Sequence, residues 1–165
     1  MRHPIIVVKG AALFLLLVIA TAGAQARAQN QTPANVAFVA PVGWTDPATG
    51  LTWTMADNGA NIDWNQAIAY CSNLRLGGYS DWRLPTIDEL QGIFDIGINV
   101  PGQWPDGSAA TWHVKGNLHL TAGFQWSSTP KNAGEAWYLF FDRGGGRYPR
   151  HHSDSKSMRA LCVRR

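Results

Sequence analysis

The sequence predicts one small α+β domain that follows a removable leader. Three observations predict this fold class: helical periodicity over residues 62–74, a helix-start signal at residues 86–89, and short apolar segments of strand character before and after them. About 140 residues remain once the leader is set aside, which is the size of one ordinary domain. The domain is therefore large enough to bury a core of its own.

The first 28 residues have the three parts of a secretory signal peptide. Arg2 and Lys9 supply positive charge, Ala11–Ala20 is an unbroken apolar run, and Ala-x-Ala patterns allow cleavage after Ala24 or Ala28. The alternative is an uncleaved N-terminal anchor, but a membrane-spanning helix needs about 20 apolar residues, roughly twice the length of this run. We predict an exported protein of the periplasm, the cell surface or the medium, with a flexible lead-in over residues 29–42 and no transmembrane segment after cleavage.

Removal of the leader changes the net charge of the protein. Of the 14 Lys and Arg residues, three (Arg2, Lys9 and Arg27) precede the later cleavage site, and the other 11 balance the 11 Asp and Glu residues. The basic isoelectric point of the whole chain therefore gives no support to a nucleic-acid partner, and we predict none.

A strand and a helix open the domain. Leu51–Met55 alternates large apolar residues with threonine, which predicts a half-buried strand. Ile62–Leu74 carries apolar residues at three- and four-residue spacing behind Asp63, a plausible N-cap, which predicts a helix with Cys71 on its buried face.

A second, shorter helix is predicted after a distinctive motif. Thr86 is the expected N-cap, and Glu89, three residues later, completes a capping box. The helix is expected to end near Ile96. In the motif before it, Trp82 is expected to pack in the core and Arg83 to pair with a carboxylate or with backbone carbonyls. Leu84 and Pro85 complete the motif, whose alternative role is a functional one.

The second half of the domain is predicted to be a long excursion followed by strands. Residues 99–123 hold prolines, glycines and aromatic residues without a sustained period, which indicates an irregular region with at most brief strands. Strands are predicted at Phe124–Ser128 and Ala136–Phe141, a returning strand begins at Arg147, and a last strand runs from Ser157 to Val163. Both faces of the last strand are apolar, so we expect both to be covered.

The two cysteines, Cys71 and Cys162, are expected to pair. An exported chain reaches an oxidising compartment, where a pair of cysteines forms a disulfide by default. The alternative is two buried free thiols.

These pieces resemble the bacterial family called domain of unknown function 1566, or the Lcl C-terminal domain, named after a collagen-like adhesin. The resemblance covers residues 43–165 and rests on a set of short motifs. They are Gly50-Leu51-Thr52-Trp53, Tyr70-Cys71-Ser72-Asn73-Leu74, Asp81-Trp82-Arg83-Leu84-Pro85-Thr86 with Glu89-Leu90, Trp126-Ser127-Ser128-Thr129, and Arg159-Ala160-Leu161-Cys162-Val163-Arg164.

The resemblance implies a C-type-lectin-like fold. In that fold two helices flank a small twisted antiparallel sheet with a long irregular loop region, and a disulfide commonly ties the first helix to the last strand, where Cys71 and Cys162 stand. The signatures of calcium-dependent sugar binding are absent from the sequence, so that activity is not implied. Adhesion by the collagen-like adhesin is attributed to sulfated polysaccharides, which suggests a polyanion-binding role.

A basic cluster late in the chain is the first candidate for ligand binding. Arginine suits planar, bidentate contact with sulfate or carboxylate groups. The cluster consists of Arg147, Arg150, His151, His152 and Lys156. The alternative is a solvated hairpin whose charges offset acidic neighbours.

The second candidate lies in the long excursion. Aromatic rings that are exposed there could stack on sugar faces, with polar groups beside them. The residues concerned are Trp104, Trp112, His113 and Lys115. The alternative is that both tryptophans fold back to form a core for the loop.

The sequence supports neither catalysis nor a metal site. Four histidines (His113, His119, His151 and His152) lack the close, patterned spacing of zinc ligands, and no nucleophile stands in a recognisable elbow or beside a base. We predict no catalytic residue, no metal and no cofactor. The preferred hypothesis is an exported, non-enzymatic binding or adhesion module for a polysaccharide, a sulfated glycan or another anionic surface. The alternatives are an envelope structural domain with a protein partner and, less favoured, a hydrolase.

Overall fold

Residues 42–104 and 106–165 are described by the structure, which is a computed structural model of the chain. The predicted leader, and the predicted lead-in up to residue 41, lie outside these residues. Among the described residues, no helix combines the length and the apolar character that crossing a membrane requires.

The described residues form an α+β domain with two α-helices and mostly antiparallel strands, which confirms the predicted class. In chain order the elements are β1 (Gly43–Thr45), β2 (Thr52–Thr54), α1 (Trp64–Asn73), α2 (Ile87–Gly92), β3 (Val100–Gln103), β4 (Ala109–Trp112), a 3-10 turn (Lys115–Asn117), β5 (Phe124–Pro130), β6 (Glu135–Phe140), β7 (Arg147–His151), β8 (Met158–Arg159) and β9 (Val163–Arg164). The central sheet has the order β7-β6-β5-β8, with β8 parallel to β5. A second sheet has the order β1-β2-β9, and β3 pairs with β4 as a hairpin.

Helix α1 begins where the sequence predicts. The Asp63 carboxylate accepts the Gln66 N–H at 2.8 Å, and the Gln66 side chain accepts the Asp63 N–H at 3.2 Å, so the two residues form a complete capping box. Ala67 and Cys71 lie one turn apart on the same face and are fully buried.

Helix α2 also begins as predicted but ends four residues earlier than expected. Thr86 and Glu89 form the predicted capping box. The helix stops at Gly92 because the following backbone pairs with another segment: the Asp95 N–H donates to the His113 carbonyl, and the Lys115 N–H donates to the Ile93 carbonyl. These bonds replace the helical ones.

Two apolar cores lie on opposite faces of the central sheet. Neighbouring residues of a strand point to opposite faces, so Ala136 and Leu139 of β6 enter different cores. Helix α1 contributes Cys71 to the core of Ala136, and α2 contributes Leu90 to the core of Leu139. The sheet is thus flanked by one helix on each face.

The last segment differs from the predicted single strand. Residues 158–163 are divided between β8 and β9, which belong to different sheets. Between them, the Ala160 N–H donates to the Asn58 side-chain oxygen at 2.8 Å and the Cys162 N–H donates to the Thr54 hydroxyl at 3.2 Å, so side chains take the place of a strand partner. Both faces of the segment are nevertheless covered, as predicted: its even-numbered apolar residues enter one core, and Leu161 and Val163 enter the other.

The predicted disulfide is confirmed. Cys71 in α1 is bonded to Cys162, with Cα atoms 5.5 Å apart and both residues fully buried. The described residues contain no free cysteine. The bridge fastens the first helix to the segment that joins β8 to β9.

Candidate functional site

A groove of about 390 Å³ lies beside the β3–β4 hairpin and the segment that follows β6. Its lining combines an aromatic ring, small side chains and several polar groups. The lining residues are Trp104, Ala109, Ala110, Thr111, His113, Asp142 and Arg143.

Trp104 is the aromatic wall of the groove. It stands at the turn of the hairpin, where its N–H donates to the Ser108 carbonyl at 2.8 Å. Its ring meets Trp112 edge-on, with ring centroids 5.0 Å apart, and lies 5.8 Å from the Phe140 ring. The ring is half-buried, so its orientation is fixed by packing while part of it stays open to a ligand.

His113 supplies a polar group at the base of the groove. Its residue is only 4% exposed, and Nδ1 lies 2.8 Å from the Ile98 carbonyl oxygen. A carbonyl can only accept, so Nδ1 is the donor, and in the tautomer that carries its proton on Nδ1 the Nε2 atom is an acceptor. Within residues 42–104 and 106–165, the His113 Nε2 atom has no hydrogen-bond partner, and it is not fully enclosed by other atoms.

Asp142 and Arg143 place opposite charges at the groove. The Asp142 carboxylate accepts the Gly144 N–H at 3.0 Å, and its carbonyl accepts the Gly145 N–H, so a tight turn holds the aspartate. Arg143 is exposed and makes no ion pair with any described residue. Neither residue was selected from the sequence. The available signal was an aspartate and an arginine directly before a run of three glycines.

The other two predicted residues of the excursion, Trp112 and Lys115, lie outside the groove lining. Trp112 is fully buried, and its Nε1 donates to the Leu120 carbonyl at 3.1 Å, so it supports Trp104 from below and offers no ring face to a ligand. Lys115 donates to the Gly92 carbonyl at 2.9 Å and thereby caps the end of α2. The expectation of an exposed ring at Trp112 is therefore wrong. Ligand contact by Lys115 stays a prediction, and Trp104 and His113 share the groove.

The predicted basic cluster is divided between two faces of β7. Alternate strand residues point in opposite directions, and the contacts of the two arginines follow that rule. Arg147 pairs with Asp88 of α2 at 2.7 Å, whereas Arg150 pairs with Asp154 at 2.7 Å. The prediction of one joint arginine surface is therefore wrong, because both guanidinium groups already have carboxylate partners and they lie on opposite faces.

The remaining members of the basic cluster are also separated. The His152 ring stacks on Trp64 with centroids 4.1 Å apart. His151 is exposed, and its Nδ1 lies 2.9 Å from the Ser153 hydroxyl. Lys156 is exposed in the turn before β8. These residues do not reach the groove lining.

The motif around Trp82 has a structural role, as the sequence favoured. Trp82 is 2% exposed, and the Arg83 guanidinium donates to both carboxylate oxygens of Glu89 at 2.7 and 2.6 Å. The hydrogen bonds from Arg83 hold the pKa of Glu89 below its usual range, and burial opposes them only in part. Leu84 and Pro85 are buried at the entry to α2.

The described residues include no group of three or more histidine, cysteine, aspartate or glutamate side chains placed to hold a metal ion. The buried Asp57 carboxylate, beside an opening next to α1, is engaged by the Thr121 N–H and hydroxyl at 2.8 Å and by the Gln125 amide at 3.1 Å. These bonds give Asp57 a structural role.

Comparison with known proteins identifies one family. The family model described as the Lcl C-terminal domain matches residues 43–164. The search of curated proteins found no significant match.

Proposed function

This chain belongs to the Lcl C-terminal domain family, and from that premise we propose that it is an exported, non-enzymatic module that binds a polysaccharide in the Trp104 groove. The observation that carries the proposal is the combination, in one open groove, of a fixed half-buried indole ring with unpaired polar groups.

The chemistry of the groove suits a sugar. The C–H groups on one face of a pyranose ring carry slight positive charge, and the face of an indole ring is negative, so the two attract. His113 can accept a hydrogen bond from a sugar hydroxyl, Arg143 can donate one, and the Thr111 hydroxyl can do either. Such a site orients a neutral ligand through a few polar groups beside an apolar wall.

We further propose that the domain has the C-type-lectin-like arrangement that the family resemblance implies. Three features support this: one helix on each face of the central sheet, the bridge from Cys71 in the first helix to Cys162 beside the last strand, and a long connection from α2 to β5 that carries the groove. The β3–β4 hairpin lies within that connection.

Export is supported by the disulfide, because disulfides persist in oxidising compartments. We keep the leader over residues 1–28 as part of the proposal. The proposed destination of the exported domain is the periplasm, the cell surface or the medium.

The test is a glycan array with the mature protein, followed by titration of the glycans that bind. We expect Trp104→Ala to weaken binding by about tenfold or more, since loss of a stacked ring costs roughly 1–3 kcal/mol. Arg143→Ala should weaken binding of sulfated glycans more than that of neutral ones. Arg75→Ala is the matched control, because Arg75 is an exposed arginine whose hydrogen bonds go to carbonyls at the end of α1. Full binding by Trp104→Ala would contradict the proposal, as would an array without hits.

A second candidate is a module that binds an envelope protein. A shallow hollow of about 440 Å³ beside α1 favours it, because Tyr70, Leu74 and Leu76 contribute apolar surface there. Protein interfaces are commonly built around such aromatic and aliphatic groups. Tyr70→Asp should abolish capture of a partner from periplasmic extract and leave glycan binding unchanged. Equal capture by the wild-type protein and by Tyr70→Asp would remove this candidate.

A further inference from the structure

A buried arginine, Arg159, lies at the end of β8 and has no direct anionic partner among the described residues. The residue is only 7% exposed and forms no ion pair with any described carboxylate, whereas Arg83, Arg147, Arg150 and Arg164 each pair with one. Arginine is rarely buried without such a partner, because removing its charge from water costs free energy that only a nearby anion restores. The position of Arg159 is therefore that of a residue that binds an anion.

Three of the five N–H groups of the Arg159 guanidinium are engaged within the protein. Nε donates to the Thr121 hydroxyl at 2.8 Å, and Nη1 donates to the Asn61 side-chain oxygen at 2.6 Å and to the Met158 carbonyl at 3.0 Å. All three acceptors are neutral. The two N–H groups of Nη2 have no acceptor within residues 42–104 and 106–165, and Nη2 is not fully enclosed by other atoms. Nη2 is therefore the atom that can contact a ligand.

The Asp57 carboxylate reaches this guanidinium only through a hydroxyl group. The Thr121 hydroxyl donates to Asp57 at 2.8 Å and accepts the Nε–H of Arg159 at 2.8 Å. An intervening oxygen atom separates the two charges by more than a direct ion pair would, and their attraction falls with that distance. Asp57 therefore offsets the charge of Arg159 only in part, and it does so from the Nε side.

Two neighbouring side chains add hydrogen-bond donors beside the guanidinium. The Asn61 side-chain oxygen accepts from Arg159 and also from the Ser157 N–H, at 3.2 Å, which orients the amide group. The Nδ2 group of Asn61 is bonded to the same carbon as this oxygen, so it lies beside the guanidinium, and it has no acceptor in the described part of the chain. The Ser157 hydroxyl is also without a described partner. Asn61 is exposed and Ser157 is half-buried, so a ligand from solvent can reach both.

The backbone holds these groups in place before any ligand arrives. Asn58 and Ala160 are joined twice, because the Asn58 N–H donates to the Ala160 carbonyl at 3.1 Å and the Ala160 N–H donates to the Asn58 side-chain oxygen at 2.8 Å. The Ile62 N–H donates to the Met158 carbonyl at 3.3 Å. Asn61 is thus fixed against β8 by bonds on both sides of it. A site that is already ordered loses little entropy when it binds.

We propose that Arg159, Asn61 and Ser157 form a carboxylate-binding site between β8 and the loop before α1. One carboxylate oxygen accepts from Nη2 of Arg159, and the other accepts from Nδ2 of Asn61 or from the Ser157 hydroxyl. A carboxylate carries a single negative charge, which matches one guanidinium group whose other neighbours are neutral donors. None of the three residues lines the Trp104 groove, so this site is separate from the proposed glycan site and goes beyond it.

The experiment is a titration of the mature protein with sodium acetate, against sodium chloride at equal ionic strength. A ligand that binds only the folded state raises the thermal midpoint once its concentration exceeds its dissociation constant. We expect a saturable rise with acetate that chloride does not produce, and a matching change in the NMR signal of the Arg159 Nε–H. Glucuronate, titrated in the same way, separates two sources of the group. Tighter binding than acetate assigns the carboxylate to an acidic sugar, and equal binding assigns it to a free organic acid.

Asn61→Asp is the decisive variant. It keeps the oxygen that accepts from Arg159 and Ser157, replaces the donor Nδ2 by a second oxygen and gives the guanidinium a carboxylate of its own. Its midpoint in chloride should therefore rise, and its affinity for acetate should fall by about tenfold or more, as expected when a charge-assisted contact is lost. Arg159→Gln should also lose the acetate response, with circular dichroism to check its fold. Asn99→Asp adds the same charge at another exposed asparagine and should respond as the wild type does.

The outcomes separate this inference from the proposed function. A wild type without a saturable acetate response would overturn the site, and so would an Asn61→Asp variant that binds acetate as the wild type does. Loss of the response in Asn99→Asp would assign it to general surface charge and would also overturn the site. Sulfate binding that is tighter than acetate binding would overturn the carboxylate assignment. Trp104→Ala should keep the full acetate response, so a failure of glycan binding at the groove leaves this result unchanged.

Discussion

Removal of the Cys71–Cys162 bridge should lower the stability of the domain by several kcal/mol. The bridge joins cysteines separated by 91 positions, so it closes most of the described domain into one loop. The chain-entropy relation for a loop of that length gives about 4.6 kcal/mol at 25 °C. Removal of a native disulfide from a small secreted domain typically costs roughly 2–5 kcal/mol, so we expect the free energy of unfolding of this domain to fall by about 3–4.5 kcal/mol.

The position of the bridge also predicts that the loss of stability comes from the unfolded state. The Thr54 N–H donates to the Cys162 carbonyl at 2.9 Å, and the Thr54 hydroxyl accepts the Cys162 N–H, so hydrogen bonds to β2 hold this segment without the disulfide. The folded state should therefore survive, while the unfolded chain expands. Because an expanded chain exposes more surface, the denaturation slope should increase as the midpoint falls.

The assay is urea unfolding followed by tryptophan fluorescence. The oxidised wild type is compared with Cys71→Ala/Cys162→Ala and with the reduced wild type, which keeps both sulfur atoms in the core. If the cross-link is the cause, the variant and the reduced protein should lose nearly equal amounts. A loss under about 1 kcal/mol in the reduced protein would refute the reasoning and assign the effect of the variant to packing.

Two further stability predictions follow from the entry to α2 and from the turn after β6. Glu89→Gln should cost about 1 kcal/mol at neutral pH, because it weakens the paired hydrogen bonds to the half-exposed Arg83. Arg83 lowers the pKa of Glu89, so this contribution to stability is complete above the pKa of the unfolded chain, about 4.3, and is lost as the pH falls through the pKa of the folded protein. Urea titrations should therefore show the difference in unfolding free energy between the variant and the wild type shrinking on acidification. A difference that stays constant with pH would contradict the ion pair. Gly145→Ala should cost about 1–3 kcal/mol more than Gly50→Ala, because both glycines have positive φ but only a Cβ at Gly145 meets a ring, 2.6 Å from Cε1 of Phe94. Equal thermal midpoints for the two variants would show that Phe94 yields without cost.

The elements that the sequence predicted well are governed by local chemistry. The capping residues Asp63 and Thr86 satisfy backbone N–H groups within three residues of themselves, so their roles can be read from spacing alone. The end of α2 could not be read in the same way. It depends on pairing of Asp95 with His113, which lies in a different part of the sequence.

The candidate site was predicted only in part for the same reason. Trp104 and Trp112 both lie in the irregular excursion that the sequence predicts, and the packing of the hairpin makes one half-buried and the other fully buried. Asp142 and Arg143 reach the groove because β6 brings the turn after it beside the hairpin. The placement of Arg147 and Arg150 on opposite faces could be predicted from the sequence, since the two-residue period of a strand places residues three apart on opposite faces.

The segment of residues 158–163 has a consequence for the order of events in folding. Its alternate side chains enter both cores, and Cys162 lies 91 positions after its partner in α1. Neither core can close before this late segment has joined it, so the first helix and the early strands have no stable partner while the chain is incomplete. Formation of long-range contacts of this kind is slow because distant parts of the chain must meet first. With the export proposed above, such a chain would stay unfolded during synthesis and passage through a membrane, and it would become compact on the far side, where the oxidant for the Cys71–Cys162 bridge is also found.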